Sequence, residues 1–158
     1  MEKYIKPFVD VTENVFAEFI GAKLEVGNPY FSKAEAISEW DISAVIGLTG
    51  EANGAVVVSM RSALAEKLTE KLTGKPHTSI DGEVVDAVGE IVNIIAGNAK
   101  KGLEEAFRLI ISLPTIIQGQ NHQIKWPSEQ TRVICIPFTI YGSEVFTLSV
   151  AIEAARNR

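Results

Sequence analysis

The stretch from Gly82 to Glu105 constrains this chain more than any other. At ~100° per residue, the step of an α-helix, Val84, Val88, Ile91, Ile95 and Ala99 gather on one side, with Val85 and Val92 at its flank. Asp86, Glu90, Asn93 and Gly97 gather on the opposite side. The pattern predicts one long helix with a core face and a polar face. Asp81 is its expected N-cap, and Asp81 with Glu83 suits the positive end of the helix dipole.

The rest of the chain supplies elements for that core face to pack on. A first helix is expected from about Lys3 to Ile20, with Pro7 in its first turn, where a missing N–H is harmless. Ile5, Phe8, Val15, Phe16, Phe19 and Ile20 fall near one of its faces, and Gly21 closes it. Leu24–Val26 reads as a short strand. Two β-branched runs, Ile42–Thr49 and Gly54–Met60, flank a turn at Gly50-Glu51-Ala52-Asn53 and predict a hairpin. A short helix from about Ala63 to Leu72 follows, with Ser62 as N-cap, Gly74 beyond its end and Leu64, Leu68 and Leu72 as its buried stripe. Short β runs at Leu109–Leu113 and Thr115–Gln118 are broken by Pro114. A second hairpin joins Thr131–Tyr141 to Val145–Ile152 through Gly142-Ser143. Helices and strands are segregated and the hairpins are antiparallel, so the expected class is α+β: an antiparallel sheet packed with helices. The 158 residues fit one domain spanning 1–158.

Composition narrows the function classes. The formal net charge is -5, and an acidic surface repels phosphate backbones, which argues against nucleic acid. No basic amphipathic helix suggests a membrane surface, and the apolar runs are shorter than the roughly 20 residues a span requires. Met1–Pro7 lacks the apolar core of a signal peptide, so a cytoplasmic location is expected. Cys135, the lone cysteine, sits in an apolar run and reads as a small buried hydrophobe rather than a nucleophile. His77 and His122 lie on expected loops and suit surface or packing roles. Trp40 and Trp126 suit one place at the edge of the core and one on a loop.

The polar stripe of the long helix admits two readings. One is the solvated face of an amphipathic helix. Three features weigh against it. The stripe has no lysine partner at helical spacing before Lys100. Asp86 and Glu90 are like charges at i, i+4, which is unfavourable. Gly89 and Gly97 inside one helix cost roughly 2 kcal/mol relative to alanine, a cost more easily understood if something must approach closely. The other reading is a site. No His or Cys nearby in sequence completes a triad, and no metal-ligand cluster is evident. An amide and a carboxylate one turn apart suit a different task. The amide can hold a water in one orientation and the carboxylate can pair with a partner's lysine. Positioning and electrostatics are most of what phosphoryl transfer asks of a protein.

Asp86-x3-Glu90-x2-Asn93, followed about twenty residues later by Pro114, resembles the signature of the CheC/CheX/FliY family of chemotaxis phosphatases. The whole block Val84–Lys100 is similar, as are Asp41–Gly50 and Ile111–Thr115, and the likeness runs from about Pro7 to Glu153. The resemblance implies a CheC-like fold and hydrolysis of the aspartyl phosphate of a phosphorylated CheY-type response regulator. By that likeness Asn93 orients the attacking water and Glu90 pairs with the regulator's lysine. Asp86, Gly97 and Lys100 belong to the partner-binding surface, and Pro114 is a structural turn beside the helix. It implies no cofactor on this chain, with Mg2+ held by the regulator, and a homodimer pairing strands across subunits, for which Thr131–Tyr141 offers an edge. The CheC branch carries two Glu/Asn pairs; Val11-Thr12-Glu13-Asn14-Val15 does not reproduce that spacing, which favours the CheX branch. A non-catalytic adaptor binding a regulator or a flagellar switch partner is the alternative. A small-molecule module would need polar groups converging inside the core, and the sequence shows none.

Overall fold

The computed structural model describes residues 2–32, 39–126 and 131–155. Helix α1 (Glu2–Val15) carries Pro7 in its second turn and runs into a π-helical turn at Phe16–Ile20. Gly21 ends it at φ +75, and its N–H bonds the Phe16 carbonyl, a left-handed cap that costs glycine little. Then come β1 (Glu25–Val26), β2 (Tyr30–Phe31), β3 (Ile42–Gly50), β4 (Ala52–Met60), α2 (Ser62–Thr73), α3 (Gly82–Leu103), β5 (Leu109–Ile111), β6 (Thr115–Gln118), β7 (Ile134–Ile140) and β8 (Glu144–Ala154).

Among the described residues the strands form one antiparallel sheet in the order β1-β7-β8-β4-β3-β5, with β2 also on the outer edge of β7 and β6 on that of β3. Both expected hairpins form, and the class is α+β. The first hairpin is tighter than expected: both strands extend into the turn, leaving only Glu51 between Gly50 and Ala52. The edge expected at Thr131–Tyr141 is not free. β7 pairs with β8 on one side and with β1 and β2 on the other, and even the Pro137 carbonyl between those two short strands accepts from Gly27 N–H at 2.8 Å.

Alternate residues of the long strands, such as Ile42, Ala44, Ile46 and Leu48 on β3, point into one core shared with the helices, as the two-residue period of a strand requires. Phe16, Phe146 and Phe138 stack through it, with ring centroids 4.8 and 5.2 Å apart. The other face of the sheet is also partly buried: Ser43, Val57, Ser59, Cys135, Thr147 and Ala151 are covered. There Trp126 packs on Val133, Cys135 and Ala151, and His122 Nε2 lies 2.7 Å from Ser43 Oγ, which lies 2.6 Å from Ser59 Oγ. His122 Nδ1 donates to the Gly119 carbonyl at 2.8 Å. In the neutral ring Nε2 therefore accepts from Ser43. Both histidines have packing roles, and Cys135 is a buried free thiol.

Three expected details are corrected. Phe19 is exposed, because the π-helical turn rotates it off the face that buries Phe16 and Ile20. Leu72 is exposed in the last turn of α2, beyond the reach of the core that takes Leu64 and Leu68. Ser62 does not cap α2. It is the first helical residue, and its N–H is bonded at 2.8 Å by the carboxylate of Asp41, just before β3.

Candidate functional site

Helix α3 lies between α1 and α2 and across the central strands β3 and β4. Val84, Val88, Ile91, Val92, Ile95 and Ala99 are all buried beneath it. Asp81 caps it as expected: Oδ1 accepts from Val84 N–H at 3.0 Å, while Oδ2 lies 2.8 Å from His77 Nδ1. The His77 bond, followed by that from Val84, holds the Asp81 carboxyl below its ordinary value. The register of α3 is thus fixed by a capped N-terminus and a wholly apolar underside.

That register presents the stripe. Asp86 and Glu90 are exposed; Asn93, Gly97 and Lys100 are half-buried. All five lie on the side of α3 turned from the core. Among the described residues no hydrogen bond or ion pair engages the side chains of Asp86, Glu90, Asn93 or Lys100, so the carboxylate and amide keep their capacity for an outside ligand. No group of three or more His, Cys, Asp or Glu among the described residues could hold a metal ion. A shallow depression of about 500 Å3 lined by Asp41, Ser62, Ile80 and Gln118–Gln120 lies at the N-terminal ends of α2 and β3, away from the stripe.

The segment joining β5 to β6 flanks the stripe on one side. A Cβ on Gly89 would stand 3.4 Å from Ile116 Cδ1 and 3.6 Å from Pro114 Cγ, and one on Gly97 would stand 4.0 Å from Ile111 Cδ1. Residues 111 to 116 therefore run beside α3 from Gly97 back to Gly89, past Asn93. Pro114 lies beside the helix as expected, seated against Gly89, but it is no turn: β5 and β6 continue in one direction along β3. Leu113, which the sequence did not single out, projects into solvent there at 86% exposure. Pro114 was the only local signal for it.

An antiparallel sheet with one face under helices, and a polar stripe on the central helix, define a CheC-like α+β protein. The chain belongs to the chemotaxis phosphatase CheX family, whose pattern matches residues 42–139, more than half of its length. It is accordingly a protein phosphatase, a hydrolase. It is 26% identical over 132 residues to the CheY-P phosphatase CheX of Thermotoga maritima, covering 80% of this chain and 83% of that protein. The crystal structure of chemotaxis protein CheX from Desulfovibrio desulfuricans superposes with a TM-score of 0.85 at 32% identity, over 96% of this chain and 99% of that one. The CheX–CheY–BeF3–Mg2+ complex from Borrelia burgdorferi matches with a TM-score of 0.82 at 25% identity, over 95% of this chain and 97% of that one. Among the described residues no helix is long and apolar enough to cross a membrane.

Proposed function

We propose that this chain, acting as one domain in the cytoplasm, hydrolyses the aspartyl phosphate of a phosphorylated CheY-type response regulator, and that Glu90 and Asn93 carry the activity. The observation that carries the reading is an unpartnered carboxylate and amide held side by side on the most deeply seated helix of a CheX-family chain. The relative from Borrelia burgdorferi forms a complex with CheY, BeF3 and Mg2+, which supports a regulator as the partner.

Asn93 offers a carbonyl oxygen that accepts from a water and an N–H that donates to it. Entering the regulator's site, it holds the water in line with the phosphorus. The water oxygen bonds to phosphorus as the bond from phosphorus to the aspartyl oxygen breaks. The regulator recovers its carboxylate, and inorganic phosphate departs carrying the water's oxygen and both of its hydrogens. Little covalent help is required, because the transition state is loose and positioning dominates. Glu90 accepts a charge-assisted hydrogen bond from the regulator's lysine, which fixes the approach of Asn93. Mg2+ belongs to the regulator, where it neutralises the phosphoryl oxygens. Asp86, Gly97 and Lys100 line the surface the regulator meets. We further propose a homodimer seam along β1 and β2, the sheet edge where Val26, Tyr30 and Phe31 are exposed, because β7 itself is covered.

The test is loss of phosphate from a CheY-type regulator, with Mg2+, in the presence of wild type, Asn93→Ala and Glu90→Ala. Wild type accelerates the loss. Asn93→Ala lowers the maximal rate about 100-fold or more, the scale for a lost positioning donor, while still binding. Glu90→Ala weakens binding about tenfold or more. Wild type that binds regulators of its own organism without hastening the loss refutes the enzyme reading and leaves an adaptor.

A further inference from the structure

The register of the β3 edge changes beside the stripe. Leu48 stands opposite Ile111, and Val45 stands opposite Thr115. Two residues of β3, Ile46 and Gly47, therefore face three of the outer chain, Ser112, Leu113 and Pro114. One extra residue is inserted, as in a β-bulge. Bulges bend a strand and re-aim a side chain, and they gather at sheet edges near active sites.

The inserted segment is held on both sides. Ser112 N–H donates to the Gly47 carbonyl at 3.0 Å. Gly47 N–H donates to Ser112 Oγ at 2.8 Å, and that hydroxyl donates to the Leu113 carbonyl at 2.9 Å. Pro114 packs toward Gly89 of α3, and a residue before proline is confined to extended conformations. The backbone at Leu113 is thus held, on the segment that flanks α3 between Gly97 and Gly89. Among the described residues Leu113 is the most exposed large apolar side chain. A single exposed leucine is ordinary on a surface. One aimed outward by a pinned bulge next to an unpartnered amide is not.

Resting on the phosphatase reading, we infer that Leu113 is the apolar docking residue of this site, seated in an apolar hollow of the receiver domain beside its phosphorylated aspartate. The occupant follows from continuity with the stripe. Asn93 is half-buried on the stretch of α3, between Gly89 and Gly97, that the 111–116 segment flanks, so a partner whose phosphoryl group it reaches must also meet the exposed leucine of that segment. The side chain touches no reacting atom. It sets affinity, and the hydrogen-bonded backbone beneath it lowers the ordering cost of binding.

The experiment compares wild type, Leu113→Ser, Asn93→Ala and Ile110→Ser. Ile110 is 67% exposed on the same edge but points to the opposite face of the sheet from Leu109 and Ile111, so it serves as control. Each is titrated with a CheY-type receiver activated by beryllofluoride and Mg2+, and assayed for phosphate release over a range of phosphorylated regulator. Leu113→Ser raises Kd and KM about tenfold or more while kcat stays within about twofold. Asn93→Ala lowers kcat and leaves Kd near wild type. Ile110→Ser changes neither. Leu113→Ser with an unchanged Kd, or Ile110→Ser with an equal loss, overturns the inference while the phosphatase reading stands. Wild type that neither binds the receiver nor releases phosphate overturns both.

Discussion

Replacing Gly97 with alanine separates what the helix wants from what its partner wants. Glycine inside a helix is about 1 kcal/mol less favourable than alanine, and α3 continues well past this position on both sides. A Cβ there meets only Ile111 Cδ1, at 4.0 Å. One such contact adds about 0.1–0.2 kcal/mol of dispersion and no strain. Gly97→Ala is therefore expected to stabilise the fold by about 1 kcal/mol. For a chain of this size that raises Tm by about 2–4 °C, and with a slope near 2 kcal/mol/M it moves the urea midpoint up by about 0.5 M. The same methyl stands in the proposed docking stripe, so phosphate release from the regulator slows through a raised KM. Gly89→Ala is the contrast. Its Cβ would fit against Ile116 and Pro114 without a clash, under the 111–116 segment and out of the partner's reach, so stability does not fall and KM is unchanged. Urea denaturation and steady-state phosphate release on the two variants decide the matter. A Gly97→Ala protein less stable than wild type refutes the packing argument. A stabilised protein with unchanged KM refutes the place of Gly97 in the docking surface.

Two further outcomes are expected. Phe146→Ala removes the middle ring of the Phe16–Phe146–Phe138 stack and lowers stability by about 3–5 kcal/mol in denaturant titration. Asp81 titrates below its ordinary value in the folded chain, so its charge contributes stability above the unfolded pKa near 4, lost as pH falls through the folded value. Asp81→Asn keeps a capping oxygen but no charge, and the Tm advantage of wild type over it narrows as pH drops below about 4.

The site helix was legible because its information is local. Val84, Val88, Ile91, Ile95 and Ala99 repeat at helical spacing, Asp81 precedes them, and the polar stripe falls on the remaining side whatever packs beneath. Both hairpins were legible for the same reason, since turn residues and β-branched runs sit next to each other in sequence. What escaped lies in long-range pairing. The Asp41 carboxylate caps α2 across the strand pair that separates them in sequence. Phe19 has the right spacing for burial until the helix widens at Phe16–Ile20. The closure of the β7 edge depends on β1 and β2, each two residues long, too short for a periodic signal. Pro114 marked a break, but the extra residue that pushes Leu113 outward is visible only against the register of β3. The Ser43–His122 contact joins residues far apart in sequence whose types alone suggested nothing.

The order of the sheet has a consequence for how this chain is made. β8 follows every other strand along the chain, yet it lies at the centre, between β4 and β7. As the polypeptide emerges from the ribosome, β3 and β4 can pair early and α3 can settle on them. β7 then has no neighbour on its inner side until residues 144–154 arrive. Up to that moment the nascent chain exposes the inner edge of β4 and most of the face that Phe146, Leu148 and Val150 will fill. Such open edges are where intermediates associate. A stop codon before Glu144 would not trim the sheet; it would leave two halves with nothing between them, and the finished helix α3, with its stripe in place, would sit on only one of them.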